Sequence, residues 1–326
     1  MKVFVTGGSG FVGGHLIERL VRDGHEVVAM ARSDRSAERV AAYGATPSRC
    51  DLDLVGARQL EGCDAVIHCA AHVEEHGDRE TFWRINVEGT QRLLNGAAAA
   101  NVKRFVHVGT EAMLLDDTRD LLDVDESFPP PKRHRFLYSE TKAEAEARVL
   151  AATGVEALSI RPRLVWGPRD ETILPALARM IDAGSFAWID GGCALTSTTH
   201  VDNLVEGLVL ALTKGQGGRA YFVADDGART LKDFLSALAA TRGIVLPDRS
   251  LPSVLLRPLA RALERTWKLA RREGPAPLTP FAVCVMSRST TVSTARIRRE
   301  LGYVPVIDVD EGLRALRGVA SKPTAP

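Results

Sequence analysis

Cysteine is scarce in these 326 residues: Cys50, Cys63, Cys69, Cys193 and Cys284, an odd number with no CxxC pair among them. That pattern excludes a disulfide framework and a thiolate metal site, and free thiols in a chain of this size fit a reducing, cytoplasmic setting. An excess of one charge is lacking too. Lys+Arg 42 stand against Asp+Glu 41, a net charge of +1, so no overall field draws the chain toward nucleic acid. No apolar run approaches the roughly 18 residues of a membrane span, and Met1 leads straight into a strand pattern, with no room for a secretory leader. What remains is an ordinary globular composition, 45% hydrophobic and 25% charged, which excludes a disordered, collagen-like or coiled-coil chain. The length allows one large α/β domain or two unequal ones.

Strand and helix patterns alternate from the start. Val3, Phe4 and Val5 form a buried strand closed by Thr6 and Gly7, followed by a helix over 11–22, a strand over 27–31 and a helix over 37–43. Strands at 65–70, 104–108 and 157–160 are separated by helices at 85–100 and 139–152. This rhythm predicts an α/β fold, a doubly wound parallel sheet with its ligand crevice at the carboxyl ends of the strands. Residues 1–170 form the dinucleotide-binding part on this reading. Residues 171–326 form a smaller, discontinuous substrate region, with returns to the sheet near 195–224.

The segment TGGSGFVG over 6–13 sets Gly7, Gly10 and Gly13 three residues apart, after a strand and at the start of a helix. Glycines there permit a tight turn and close backbone approach, and the helix N-terminus offers free N–H groups to a pyrophosphate. At the end of the second strand, where NAD enzymes usually keep an acid for the ribose, stand Arg32 and Ser33. A guanidinium and a hydroxyl suit a 2′-phosphate, so NADP is expected, with Asp34 keeping NAD open. Asp51 is a candidate acceptor for the adenine amine. Tyr138 and Lys142, at i and i+4 of one helix, share a face. A phenol with an ordinary pKa of about 10 is a poor acid or base at neutral pH, and a neighbouring ammonium lowers that value.

Together these motifs resemble the short-chain dehydrogenase/reductase superfamily. Asn86–Thr90, Arg161–Pro168, His200–Asn203 and 295–303 resemble its extended, epimerase/dehydratase-like branch, with a Rossmann-type domain. Segment 275–280, a strand at Cys284 and 291–296 are most similar to the 3β-hydroxysteroid and sterol-4-carboxylate dehydrogenase group. The resemblance makes Tyr138 the proton donor or acceptor, Lys142 its partner and Thr110 the carbonyl-orienting hydroxyl. Thr110 stands in a Gly109, Thr110, Glu111 sequence that replaces the usual serine pair. The implied cofactor contacts add Phe11 and Val12 beside the glycines, Leu52 beside Asp51, then Ala70, Ala71 and Pro162. His72, Glu111 and Trp166 are the implied substrate neighbours, and no metal is expected. The resemblance also implies a homodimer paired through the helices at 85–100 and 139–152.

The leading expectation is an NADP(H)-preferring oxidoreductase that interconverts a secondary alcohol and a ketone on a hydrophobic, sterol-like or long-chain small molecule. A nucleotide-sugar epimerase or dehydratase and a non-catalytic cofactor-sensing protein are the alternatives. One segment stands apart from that chemistry. Over 255–272, Arg257, Arg261, Arg265, Lys268 and Arg272 recur at helical spacing, and Leu256, Leu259, Leu263 and Ala270 recur on another face with Trp267 at its edge. This predicts an amphipathic helix that is either a lid on the substrate region or a peripheral contact with a membrane surface.

Overall fold

The structure, a computed structural model, describes residues 1–73, 77–270, 272, 274 and 276–320. Of the residues singled out above, Pro275 and the side chain of Lys268 lie outside that description. The chain opens with β1 (Lys2–Thr6), α1 (Phe11–Arg22), β2 (Glu26–Ala31), α2 (Asp34–Ala42), β3 (Thr46–Arg49) and β4 (Ala65–His68). A helical turn, α3 (Arg79–Phe82), passes through a π-helical stretch at Trp83–Glu88 into α4 (Gly89–Ala99), followed by β5 (Arg104–Val108). The chain then leaves the sheet for β6 (Leu121–Val124) and returns through α5 (Leu137–Leu150) and β7 (Glu156–Pro162).

Beyond lie β8 (Val165–Trp166), α6 (Ile173–Asp182), β9 (Trp188–Ile189), β10 (Leu195–Thr196), β11 (Thr199–His200), α7 (Val201–Lys214) and β12 (Ala220–Val223). The last third holds β13 (Arg229–Thr230), α8 (Leu231–Ala240), β14 (Ser250–Leu251), α9 (Ser253–Leu269), α10 (Pro280–Ser287), β15 (Thr290–Val292), α11 (Ala295–Leu301) and α12 (Val309–Ala320).

Seven strands form one sheet in the order β12-β7-β5-β4-β1-β2-β3, every neighbouring pair parallel. The expected doubly wound sheet is therefore the fold of this chain. The order reverses between β1 and β4, and the crevice at their carboxyl ends is where such sheets bind ligands. One face of the sheet packs through Val3, Val5, Ile67 and Ile160 on Leu16, Leu20 and Leu204. The other packs through Phe4, Val66 and Phe105 on Leu93, Ala97 and Val149. Ile297, Leu301 and Tyr303, from α11 and just past it, join the first of these cores.

A second, four-stranded sheet (β13-β10-β15-β6) draws its strands from distant parts of the chain. It sits beside a separate core around Trp166, Trp188, Phe234 and Leu313. The strand expected at Cys284 is a correction: residues 280–287 are helical as α10. Thr279 caps that helix by accepting from Ala282 N at 3.0 Å, and Pro280 takes the first turn, where its missing N–H costs nothing. An eight-residue apolar run has no periodicity that separates strand from helix, and the caps decide.

Candidate active site

The cofactor cradle follows from three glycines. Gly7 has φ +68°, and a Cβ there would stand 2.8 Å from Ala70 N. A Cβ on Gly13 would stand 2.2 Å from Gly7 O. The loop between β1 and α1 thus lies directly on the chain leaving β4, and no larger residue fits at either place. Gly10 caps α1 without any side-chain hydrogen bond, so the helix presents its first N–H groups outward. Phe11 and Val12, both half-buried, form the first turn behind them, and Ala70 and Ala71 border the crevice. Uncapped donors in a cradle that a Cβ would fill are what a dinucleotide pyrophosphate requires. The residues fit that group.

At the end of β2 Arg32 is exposed, while its neighbour Asp34 is held in an ion pair by Arg49. Ser33 caps α2, accepting from Ser36 N at 3.2 Å. One oxygen of Asp51 is occupied by the backbone N–H groups of Asp53 and Leu54, at 2.9 and 3.0 Å, which fixes the turn after β3. Leu52 is buried against Gly89. Pro162 closes β7 within the sheet, paired with Val223.

The structure brings Thr110, Glu111 and Tyr138 together at the end of β5. Glu111 and Arg163 are both buried and form an ion pair through Oε1 and Nη1. Thr110 Oγ1 donates to the other carboxylate oxygen at 3.0 Å, and Arg163 Nε donates to Thr196 Oγ1 at 3.0 Å. The pair therefore ties the strand-end hydroxyl to β10 of the second sheet. Burial raises the pKa of the Tyr138 phenol, the Glu111 charge raises it further, and the Thr110 hydroxyl opposes them. At neutral pH the phenol is protonated.

Lys142 lies one turn beyond Tyr138 on α5 and is buried. Its ammonium donates to Val108 O at 2.7 Å and meets His107 Nε2 at 3.3 Å. Burial pulls its pKa down to about 8, against the opposing pull of Glu146 and Cys69. The expected influence of Lys142 on the phenol is not the one found, since the charge that acts on Tyr138 is the carboxylate of Glu111. Beneath Lys142, His107 and His68 occupy matching positions on β5 and β4, ring centroids 5.3 Å apart. His68 bonds Thr6 Oγ1 at 2.7 Å and Thr90 Oγ1 at 2.9 Å, and burial drops its pKa to about 3.

Tyr138 opens on a cavity of about 890 Å³. Phe82, Phe136, Phe281 and Trp267 give it aromatic walls, and Arg135 and Arg272 also line it. His72 stands behind the wall, its ring 4.4 Å from Phe82 and its backbone N–H on Asn86 Oδ1 at 2.7 Å. Trp166 is not brought to the cavity. It is 0% exposed, its indole donates to Asp225 Oδ2 at 2.8 Å, and it fills the core of the second region.

Sequence reasoning missed Arg163, His68 and His107. The histidines carry a usable signal, since each interrupts an apolar strand near its carboxyl end. Arg163 carries none, because its partner lies 52 positions away.

A glycine cradle at a sheet crossover, with Thr, Tyr and Lys beside a cavity, defines a dinucleotide-dependent oxidoreductase class. The chain belongs to the NAD dependent epimerase/dehydratase family, whose model matches residues 3–224. It is 40% identical over 321 residues to the 4-hydroxy-2-methyl-3-oxo-4-farnesyl-3,4-dihydroquinoline-1-oxide ketoreductase of Stigmatella aurantiaca, covering 97% of this chain and 96% of that protein. It is 30% identical over 330 residues to the decarboxylating sterol-4-alpha-carboxylate 3-dehydrogenase of Dictyostelium discoideum, covering 97% and 99%. The solved dTDP-glucose 4,6-dehydratase DesIV of Streptomyces venezuelae, with NAD and TYD bound, superposes with a TM-score of 0.73 at 25% identity, covering 97% and 96%. The resemblance drawn from the motifs holds. The protein is an NAD(P)-dependent oxidoreductase of the extended short-chain type.

Proposed function

We propose that the chain is an NADP(H)-preferring reductase of a hydrophobic ketone, of the sterol-like or long-chain kind that the relatives' names describe. The observation that carries this reading is the Tyr138 phenol facing an aromatic-walled cavity. When bound, the nicotinamide supplies the hydride. Tyr138 gives its proton to the carbonyl oxygen, and Thr110, fixed by Glu111, orients that oxygen. Lys142 holds its charge toward the cofactor's hydroxyls, steadied by Val108 O and His107. Arg32, exposed beside the paired Asp34, supports NADP over NAD. The family's dimer would pair α4 and α5 across a two-fold axis, which light scattering would read.

A second reading, a nucleotide sugar, takes support from the guanidinium groups of Arg135 and Arg272 at the same cavity, which suit a diphosphate. Nicotinamide oxidation on incubation with NADPH separates the two. A steroid or long-chain ketone should drive it; no oxidation with any ketone, together with conversion of a UDP- or dTDP-sugar in the presence of NAD read by product chromatography, would replace the first reading with the second.

A further inference from the structure

The helix expected over 255–272 is present as α9, but its faces are not arranged as its leucines suggest. Leu256 and Ala260 turn inward to a small core with Ile189 and Val283. Arg257 and Arg261 turn to one side, where both pair with the buried carboxylate of Asp117 together with Arg288. Arg261, Glu264 and Trp267 face the cavity. The remaining side is open. Leu255 is 64% exposed, Leu259 49% and Leu269 84%, with Pro258 and Ala262 also exposed between them. At 3.6 residues per turn these five fall within an arc of about 100°, which also holds the exposed Thr266, its hydroxyl donating back to Leu263 O at 2.9 Å. The arc holds no acidic residue, and the exposed Arg265 stands at its edge.

An apolar face of this kind is uncommon on a soluble chain and marks a contact. The charge around it says with what. The mouth beside α9 carries more cations than anions: four arginines, Arg135 and Arg272 among them, line the cavity against Asp78, Asp117 and Glu264, Lys132 and Arg133 are exposed next to Arg135, and Asp117 is already paired with three arginines. In a protein of net charge +1 this is a local excess of positive charge. A second copy is a poor occupant, because a two-fold contact would lay the Arg265 edges against each other with no acid on either arc. We propose that the outward face of α9 seats on an anionic lipid surface, with its leucines among the acyl chains and its arginines at the headgroups, at the mouth of the cavity. A lipophilic ketone would then enter from the bilayer rather than from water. That last clause rests on the proposed substrate class, while the seating itself does not.

The test is co-sedimentation of the full chain at low salt with vesicles of phosphatidylcholine alone and of phosphatidylcholine with phosphatidylglycerol. Retention on the anionic vesicles should exceed that on the neutral ones by about five-fold or more, and should fall by a similar factor at high salt. Leu255→Ser with Leu259→Ser, and separately Arg265→Glu, should each abolish most of it. These residues are exposed and lie outside the cavity and the cradle, so both variants should keep the wild-type circular dichroism and turnover of a water-soluble ketone. Absence from both pellets, equal retention on both, or variants retained like the wild type would overturn the proposal. A dimer dispersed by the leucine changes would assign the face to a second copy and overturn it as well. Seating without ketone turnover would leave this inference standing and remove the proposed substrate.

Discussion

Glu111 separates this site from one built on a serine pair. A buried carboxylate beside the phenol raises its pKa, which keeps it protonated over a wider alkaline range and makes it the weaker acid. Glu111→Gln should therefore lower the alkaline limit of turnover while keeping Thr110 in place. A profile of kcat against pH that is unchanged in the variant would assign the pair to structure alone. Lys142 makes a prediction of the opposite sign. Its ammonium is present below a pKa of about 8 and is lost as pH rises through it. NADPH affinity should therefore weaken between about pH 7 and pH 9 in the wild type and hold in Lys142→Arg, whose guanidinium stays charged. Equal slopes in the two proteins, read by fluorescence titration, would exclude Lys142 from cofactor binding. At Arg32, substitution by Asp should weaken NADPH by about ten-fold or more, the scale of a lost charge-assisted contact, and leave NADH nearly unchanged. Equal losses would make Arg32 a loop residue.

The elements differ in how plainly the chain announces them. Helix α1 and strand β12 lie where their patterns place them, because each is a strong periodic or apolar run bounded by glycine or charge. Strand β3 carries no such signal: its four residues, Thr46–Arg49, are largely exposed at the sheet edge and include Pro47. The two-residue strands β10 and β13 are equally silent, since only partners far along the chain define them. The start of α2 is set by Ser33 and Ser36 capping each other, which reserves for the helix a serine that reads as a phosphate ligand. Strands β4 and β5 carry a cost that their apolar runs conceal, two neutral histidines in the dry centre of the sheet. His68 ordinarily titrates near 6.5, but here near 3, so the unfolded chain binds the proton first and stability falls as pH drops below about 6.5. Between pH 6.5 and 5 that single group costs about 2 kcal/mol. Thermal melts of His68→Gln should show a shallower loss over that range, and a slope equal to the wild type's would contradict the assignment.

At the scale of the whole molecule, the glycine cradle follows from local sequence and the cavity does not. Gly7, Gly10 and Gly13 announce the cradle because the turn, the helix and the crossover are all local. The cavity draws on α3, α5, α9 and α10, elements separated by long stretches of chain, and Tyr138 alone among the expected catalytic groups lines it. Arg163 ties the surroundings of the phenol to the second sheet, one end on Glu111 and the other on Thr196 of β10. In the proposed reduction Tyr138 donates the proton while NADPH reduces a hydrophobic ketone. Its most direct test is Tyr138→Phe, assayed by ketone-dependent NADPH oxidation alongside cofactor titration. Turnover should fall by about 10²-fold or more, the scale of a lost general acid, with NADPH affinity kept within a few-fold. Turnover equal to the wild type's, with the fold and cofactor binding intact, would contradict it.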